Sequence, residues 1–163
     1  MGSAGAKYLA TKLGKMTKTI ELDLRVNNID DSGIVALMKA IPSSVKVLLL
    51  RNNNISDDGA KAIAEFLKTN KSVEVLDLSD NDVGDDGAKA LADALRVNKT
   101  LKDLDLFHNA IAGDGGKAIA AALENCSLED FDISANDIDP EAEYEMESAF
   151  KEHLTGPSES KTS

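Results

Sequence analysis

Val73-Glu-Val-Leu-Asp-Leu-Ser-Asp-Asn-Asp-Val83 runs directly into Gly84-Asp-Asp-Gly-Ala-Lys-Ala-Leu-Ala-Asp-Ala-Leu95, and the reading of these two stretches decides the fold. In the first, apolar and polar residues alternate around Leu76 and Leu78 and stop at Asn81, the pattern of a short half-buried strand and its exit turn. In the second, Ala88, Leu91, Ala92 and Leu95 fall on one face at helical spacing, with Asp85 or Asp86 placed to cap the N-terminus. Neither half can bury its apolar side alone, so the unit requires copies of itself.

The copies are present. Turn asparagines recur as Asn27, Asn53, Asn81, Asn109 and Asn136, spaced by 26, 28, 28 and 27 residues. Two residues after each comes Ile29, Ile55, Val83, Ile111 or Ile138, and six residues after the first four comes Gly33, Gly59, Gly87 or Gly115; the fifth position is Ala142. Self-similarity at a period in the twenties marks a solenoid. The pattern predicts strands near 20–25, 46–51, 74–79, 102–107 and 129–134, and helices near 31–41, 57–68, 85–97, 113–124 and 140–154. Residues 3–18 form a half-repeat, because Gly5-Ala-Lys-Tyr-Leu-Ala-Thr-Lys-Leu13 superposes on the helical stretch ending at Leu95.

Asn70, Asn98 and Asn125 close three helices, where a residue tolerant of the left-handed conformation is expected. Each also starts a sequon, but their shared repeat position favours capping over glycosylation. Asp139-Pro140 opens the last helix, whose apolar stripe Ala142, Met146, Ala149, Phe150 and Leu154 reads as a C-terminal cap. The organisation expected is one domain over residues 1–156, with repeats over 19–139, a capping helix at 140–154 and a disordered tail at 157–163.

Leu101-Lys-Asp-Leu-Asp-Leu-Phe-His-Asn-Ala-Ile111, followed by Gly115 and Ala118-Ile-Ala-Ala-Ala-Leu123, resembles the leucine-rich repeat. The long period with a full helix per repeat resembles the ribonuclease-inhibitor-like subclass shared by NOD-like receptors, Ran GTPase-activating proteins and tropomodulins. The resemblance implies a right-handed α/β solenoid, a horseshoe with five parallel strands on the concave face and about six helices on the convex one. It also implies that the five turn asparagines form a ladder satisfying backbone groups. The fold is shared by these families and their chemistry is not.

In such a solenoid the residues between the buried leucines line the concave face in columns. One column is Glu21, Val47, Val75, Asp103 and Asp130, and the next is Asp23, Leu49, Asp77, Asp105 and Asp132. A third is Arg25, Arg51, Ser79, Phe107 and Ser134, flanked by Val26, Asn52, Asp80, His108 and Ala135. Seven of the ten residues in the first two columns are acidic, and the exceptions Val47, Leu49 and Val75 adjoin one another. An apolar island beside an acidic wall is the composition of a binding surface. The partner-binding residues expected are these ten together with Arg25, Arg51, Phe107 and His108. Arg25 and Arg51 are also placed to pair with Asp23 and Asp77.

No catalytic residue, metal site or cofactor is expected. His108 and His153 are far apart in repeat order, and Ser79 and Ser134 share no column with a histidine. The acidic pairs Asp30-Asp31, Asp57-Asp58 and Asp85-Asp86, and the single Asp114, lack the span of a calcium loop and suit N-capping of their own helices.

With 29 acidic against 18 basic residues, the chain is poorly suited to nucleic acid or an anionic membrane. A single cysteine, Cys126, excludes an intramolecular disulfide. The expectation is therefore a cytoplasmic, monomeric, non-catalytic module that binds a protein with a basic or mixed surface. By resemblance, a regulator of a small GTPase or of actin is an alternative. Such repeats also occur in secreted bacterial effectors, which would place it in a host cytosol.

Overall fold

The computed structural model describes residues 1–155; the tail expected at 157–163 lies outside the described residues. Helix α1 (Gly2–Leu13) is followed by five strand–helix units: β1 (Glu21–Asp23) and α2 (Asp31–Met38), β2 (Val47–Leu49) and α3 (Asp57–Thr69), β3 (Val75–Asp77) and α4 (Asp85–Val97), β4 (Asp103–Asp105) and α5 (Gly113–Leu123), β5 (Asp130–Asp132) and α6 (Pro140–Thr155). The strands form one parallel sheet in sequence order, with Leu22, Leu48, Leu76, Leu104 and Phe131 in register across it. The architecture is an α/β solenoid.

The strands are half as long as the sequence pattern suggests, for a local reason. In four of them the last residue is an aspartate whose carboxylate accepts the N–H two residues on: Asp23 from Arg25, Asp77 from Ser79, Asp105 from Phe107 and Asp132 from Ser134, at 2.8–3.1 Å. Backbone pairing continues past this bend, from Leu24 N to Leu49 O at 2.8 Å and from Val26 N to Arg51 O at 2.9 Å. The residue before each ladder asparagine then turns left-handed, with φ between 52° and 57° at Val26, Asn52, Asp80, His108 and Ala135.

Behind the sheet, Leu24, Leu50, Leu78, Leu106 and Ile133 meet the apolar helix faces in a continuous core. Removing a leucine of this kind from water contributes roughly 2 kcal/mol before ordering costs. The asparagines stitch the rungs. Asn81 donates through Nδ2 to Leu50 O of the preceding rung and Leu78 O of its own, while its Oδ1 accepts from Ile55 N. Asn53, Asn109 and Asn136 repeat the arrangement, whereas Asn27, with no rung before it, donates only to Arg25 O.

The helix starts depart from expectation. The acidic residues were expected to cap their own helices, yet Ser56, Gly84 and Ala112, at the N-caps of α3, α4 and α5, make no side-chain cap bond. The cap comes from one rung earlier. Asp31 accepts from Ser56 N and Gly59 N, Asp57 from Gly84 N and Gly87 N, and Asp85 from Ala112 N and Gly115 N, all at 2.8–3.0 Å. This accounts for the repeated glycine: a Cβ at Gly59, Gly87 or Gly115 would lie 2.5–2.9 Å from the capping Oδ1. Only α2 and α6 are capped by their own preceding Asp30 and Asp139.

Two smaller corrections concern helix ends. Asn70 and Asn98 are extended rather than left-handed, with φ of −69° and −74°. Their amide oxygens accept from Ser72 N and Val73 N, and from Thr100 N and Leu101 N, so the side chain rather than the backbone makes the turn. Helix α1 stops at Leu13, short of residue 18, in a Gly14 turn. On α6, only Met146 and Phe150 of the expected stripe are buried, while Ala142, Ala149 and Leu154 remain exposed.

Candidate partner-binding face

The register carries the sequence columns onto the sheet. Glu21, Val47, Val75, Asp103 and Asp130 are aligned across the five strands, and so are Asp23, Leu49, Asp77, Asp105 and Asp132. Val47, Leu49 and Val75 lie half-buried on neighbouring positions of β2 and β3, because the alternation that buries Leu48 and Leu76 turns them to the other face.

Beside this island stand Asp77, Asp103, Asp105, Asp130 and Asp132. None of the five makes an ion pair among the described residues. Burial, then repulsion from Asp130 and Asp77, raises the pKa of Asp103. Asp105 is raised by burial and by its carboxylate neighbours, against the lowering effect of the Phe107 N–H bond. A cationic group placed beside Asp103 and Asp105 would oppose both shifts by favouring their charged forms.

The arginines resolve differently from one another. Arg25 forks onto Asp23 at 2.7 and 3.0 Å, and that bond is the main cause lowering the Asp23 carboxyl to about 2. Arg51 does not reach Asp77, whose Oδ1 is taken by the Ser79 N–H and hydroxyl; it binds Asp80 at 2.8 Å. His108 Nδ1 lies 2.6 Å from the other Asp80 oxygen, and these partners, His108 first, hold the Asp80 pKa down. Phe107 packs against the His108 ring with centroids 5.9 Å apart.

These contacts leave no nucleophile on a base. The Ser79 and Ser134 hydroxyls donate to Asp77 and Asp132, and the His108 nitrogen faces Asp80 rather than a serine. No group of three or more metal-competent side chains gathers among the described residues.

One feature of the face escapes the column reading. Lys46 pairs with Glu74 at 2.8 Å and Lys102 with Glu129 at 2.7 Å, one position before the first column. The signal was present in the sequence: at seven residues before the last four ladder asparagines, charge alternates as Lys46, Glu74, Lys102 and Glu129. These pairs neutralise that flank and leave the excess acid at the centre of the sheet.

Comparison with solved structures returns the same architecture. Leiomodin-1 actin-binding site 2 superposes with a TM-score of 0.74 at 24% identity, over 93% of this chain and 88% of that one. The tropomodulin C-terminal domain of Caenorhabditis elegans gives 0.72 at 19% identity, over 92% and 93%. At such identities the likeness is one of fold. No curated protein matches the sequence. The Leucine Rich repeat family model matches residues 19–38, 42–64, 69–92 and 97–120, more than half of the chain. With the asparagine ladder and parallel rungs in place, the chain belongs to the leucine-rich repeat family.

Proposed function

We propose that this chain is a non-catalytic protein-binding module whose partner seats on the concave sheet face. The observation that carries this reading is the half-buried island of Val47, Leu49 and Val75 set against five carboxylates that, among the described residues, have no cationic partner. The island supplies apolar area, and the acids select a partner with basic residues flanking an apolar anchor. Phe107 extends the apolar contact, and His108 and Arg51, already engaged with Asp80, form its rim. The net charge of −11 supports attraction of a basic or mixed surface. On this reading the module works as a cytoplasmic monomer.

Affinity capture with the full chain, compared against V47R and F107R variants, tests the assignment. Both positions are only partly buried, so the variants are expected to fold while binding the partner at least ~10-fold more weakly. Equal capture by both variants would place the partner elsewhere.

A second reading is favoured by the likeness to leiomodin-1 actin-binding site 2: that the partner is actin. Co-sedimentation with actin filaments and a fluorescence polymerisation assay separate the two. Binding or altered polymerisation lost in V47R supports actin on this face, and the absence of both returns the search to other basic partners.

A further inference from the structure

The last rung ends in an open edge beside a cleft. Within the sheet each rung lends backbone groups to the next: Leu106 N donates to Asp132 O at 2.8 Å, His108 N to Ser134 O at 3.0 Å, and Lys102 O accepts from Glu129 N at 2.7 Å. One rung on, the equivalent groups are Ile133 N, Ala135 N and Glu129 O, and none has a backbone partner among the described residues. They are spaced along one side of β5 as a further parallel strand would need them.

The C-terminal half of α6 does not close this edge. Between it and β5 lies a cleft of about 430 Å³. Its floor is apolar: Phe131 and Phe150 meet edge to face at 5.8 Å, and Leu154 is 49% exposed beside them. Its rim is acidic, with Asp130, Asp132 and Glu147. Among the described residues the one cation lining it, Lys151, is paired to Glu147 at 3.5 Å.

We propose that this cleft binds an extended peptide that adds a sixth parallel strand to β5, with alternating apolar and basic side chains. Its backbone pairs with Ile133 N, Ala135 N and Glu129 O. Apolar side chains enter between Phe131, Phe150 and Leu154, and the alternate basic ones face Asp130 and Asp132 on the concave side. The charge of the rim selects such a peptide over a second copy of this chain, whose own edge residues Glu21, Asp23, Asp130 and Asp132 would repeat the acid. The proposal goes beyond the concave-face reading and does not need it, since the island of Val47, Leu49 and Val75 lies away from the cleft on β2 and β3.

The probe is a fluorescein-labelled heptapeptide, Thr-Lys-Val-Lys-Leu-Lys-Thr, titrated with the full chain by anisotropy. Three controls accompany it: the same composition with the lysines clustered, the same sequence N-methylated on alternate amides, and the L154E variant of the protein, altered at an exposed site. Saturable binding that weakens at least ~10-fold in all three controls, with Ile133 and Ala135 amides gaining hydrogen-exchange protection, is the expected result. Equal affinity for the clustered or N-methylated peptide would overturn strand addition. Loss of binding in V47R with none in L154E would assign the peptide to the concave island and overturn the cleft. A doubled mass in light scattering that L154E abolishes would make the occupant a second copy and overturn it as well.

Discussion

Helices α4 and α6 descend from the same repeat pattern and are held in opposite ways. Helix α4 begins at an N-cap glycine without a side chain and receives its cap from Asp57 of the rung before. It buries six of its 13 residues. Helix α6 is capped by its own Asp139 and buries only Met146 and Phe150 of its 16. The link between them is position 113. Where Asp31, Asp57 and Asp85 reach forward to the next helix, the chain has Gly113, so α5 offers α6 no carboxylate at that position. A gap of about 500 Å³ remains between the two helices, walled by Gly113, Gly116, Ala120, Met146 and Ala149. A rung of this solenoid is therefore held in place by its predecessor as much as by its own sequence. The interior helices are tied to their predecessors by side-chain hydrogen bonds, and α6, among the described residues, has none to α5.

The largest effect that would sharpen the contrast lies in the asparagine ladder. Asn81 is 8% exposed, and Asn81→Ala takes the acceptor from Ile55 N and one of two side-chain donors from each of Leu50 O and Leu78 O, which keep Asn53 and Asn109. A loss of about 3 kcal/mol is expected, since one orphaned buried N–H costs about 1–3 kcal/mol and each of the two lost carbonyl bonds about 0.5–1.5 kcal/mol. Asn136 makes the same set of bonds at the last interior junction but is only half-buried, so water replaces some of them. Asn136→Ala is expected to cost about 1 kcal/mol. Urea denaturation followed by circular dichroism measures both, and equal losses would break the distinction between interior and end.

The next effect tests the forward cap itself. Asp57→Ala removes the acceptor for Gly84 N and Gly87 N, and about 2 kcal/mol of stability is expected to go with it, at the upper end for a helix cap. Asp139→Ala removes one exposed bond to Glu141 N and is expected to cost about 0.5 kcal/mol. The same denaturation measurement separates them. Were Asp139→Ala the more damaging, α6 would be bound into the repeat more tightly than α4.

What the sequence reveals of this molecule follows from which contacts repeat within one unit and which pass between units. Leu76, Leu78, Asn81 and Gly87 recur at fixed spacing, so the period, the strands and the helices could be read without coordinates. The columns Val47–Val75–Asp103 and Leu49–Asp77–Asp105 followed from period-two alternation, because a parallel register is fixed by the repeat. The owner of each cap could not be read. Asp57 stands beside its own helix in sequence, and only the stacking of helices turns it toward Gly87. The glycine at that position was legible as a signal, but its cause, the close approach of a carboxylate, was not. Arg51 likewise had two acids within reach by column. In the structure Arg51 binds Asp80, while Asp77 Oδ1 accepts the Ser79 hydroxyl.

The smallest expected effect carries the contrast between interior and edge into the acid chemistry of the face. Asp23 and Asp105 occupy one column, yet their carboxyls move in opposite directions. At the open edge, the Arg25 guanidinium lowers Asp23 to about 2. Its contribution to stability is complete above the ordinary value of 3.8 and is lost as pH falls toward 2. In the interior, burial and the neighbouring carboxylates raise Asp105 above 3.8. Its contribution is therefore complete below 3.8 and lost as pH rises through the raised value, so at neutral pH the ionised group opposes folding. Asp105→Asn keeps an acceptor for Phe107 N and removes that charge. It is expected to raise the melting temperature at pH 7 by roughly 2 °C, with the gain gone by about pH 3. Asp23→Asn is expected to lower the melting temperature at pH 7 by a smaller amount, with the difference narrowing as pH falls. Thermal melts of both variants between pH 3 and 7 check the pair. Shifts of the same sign at pH 7 would show that the acidic wall is screened by solvent.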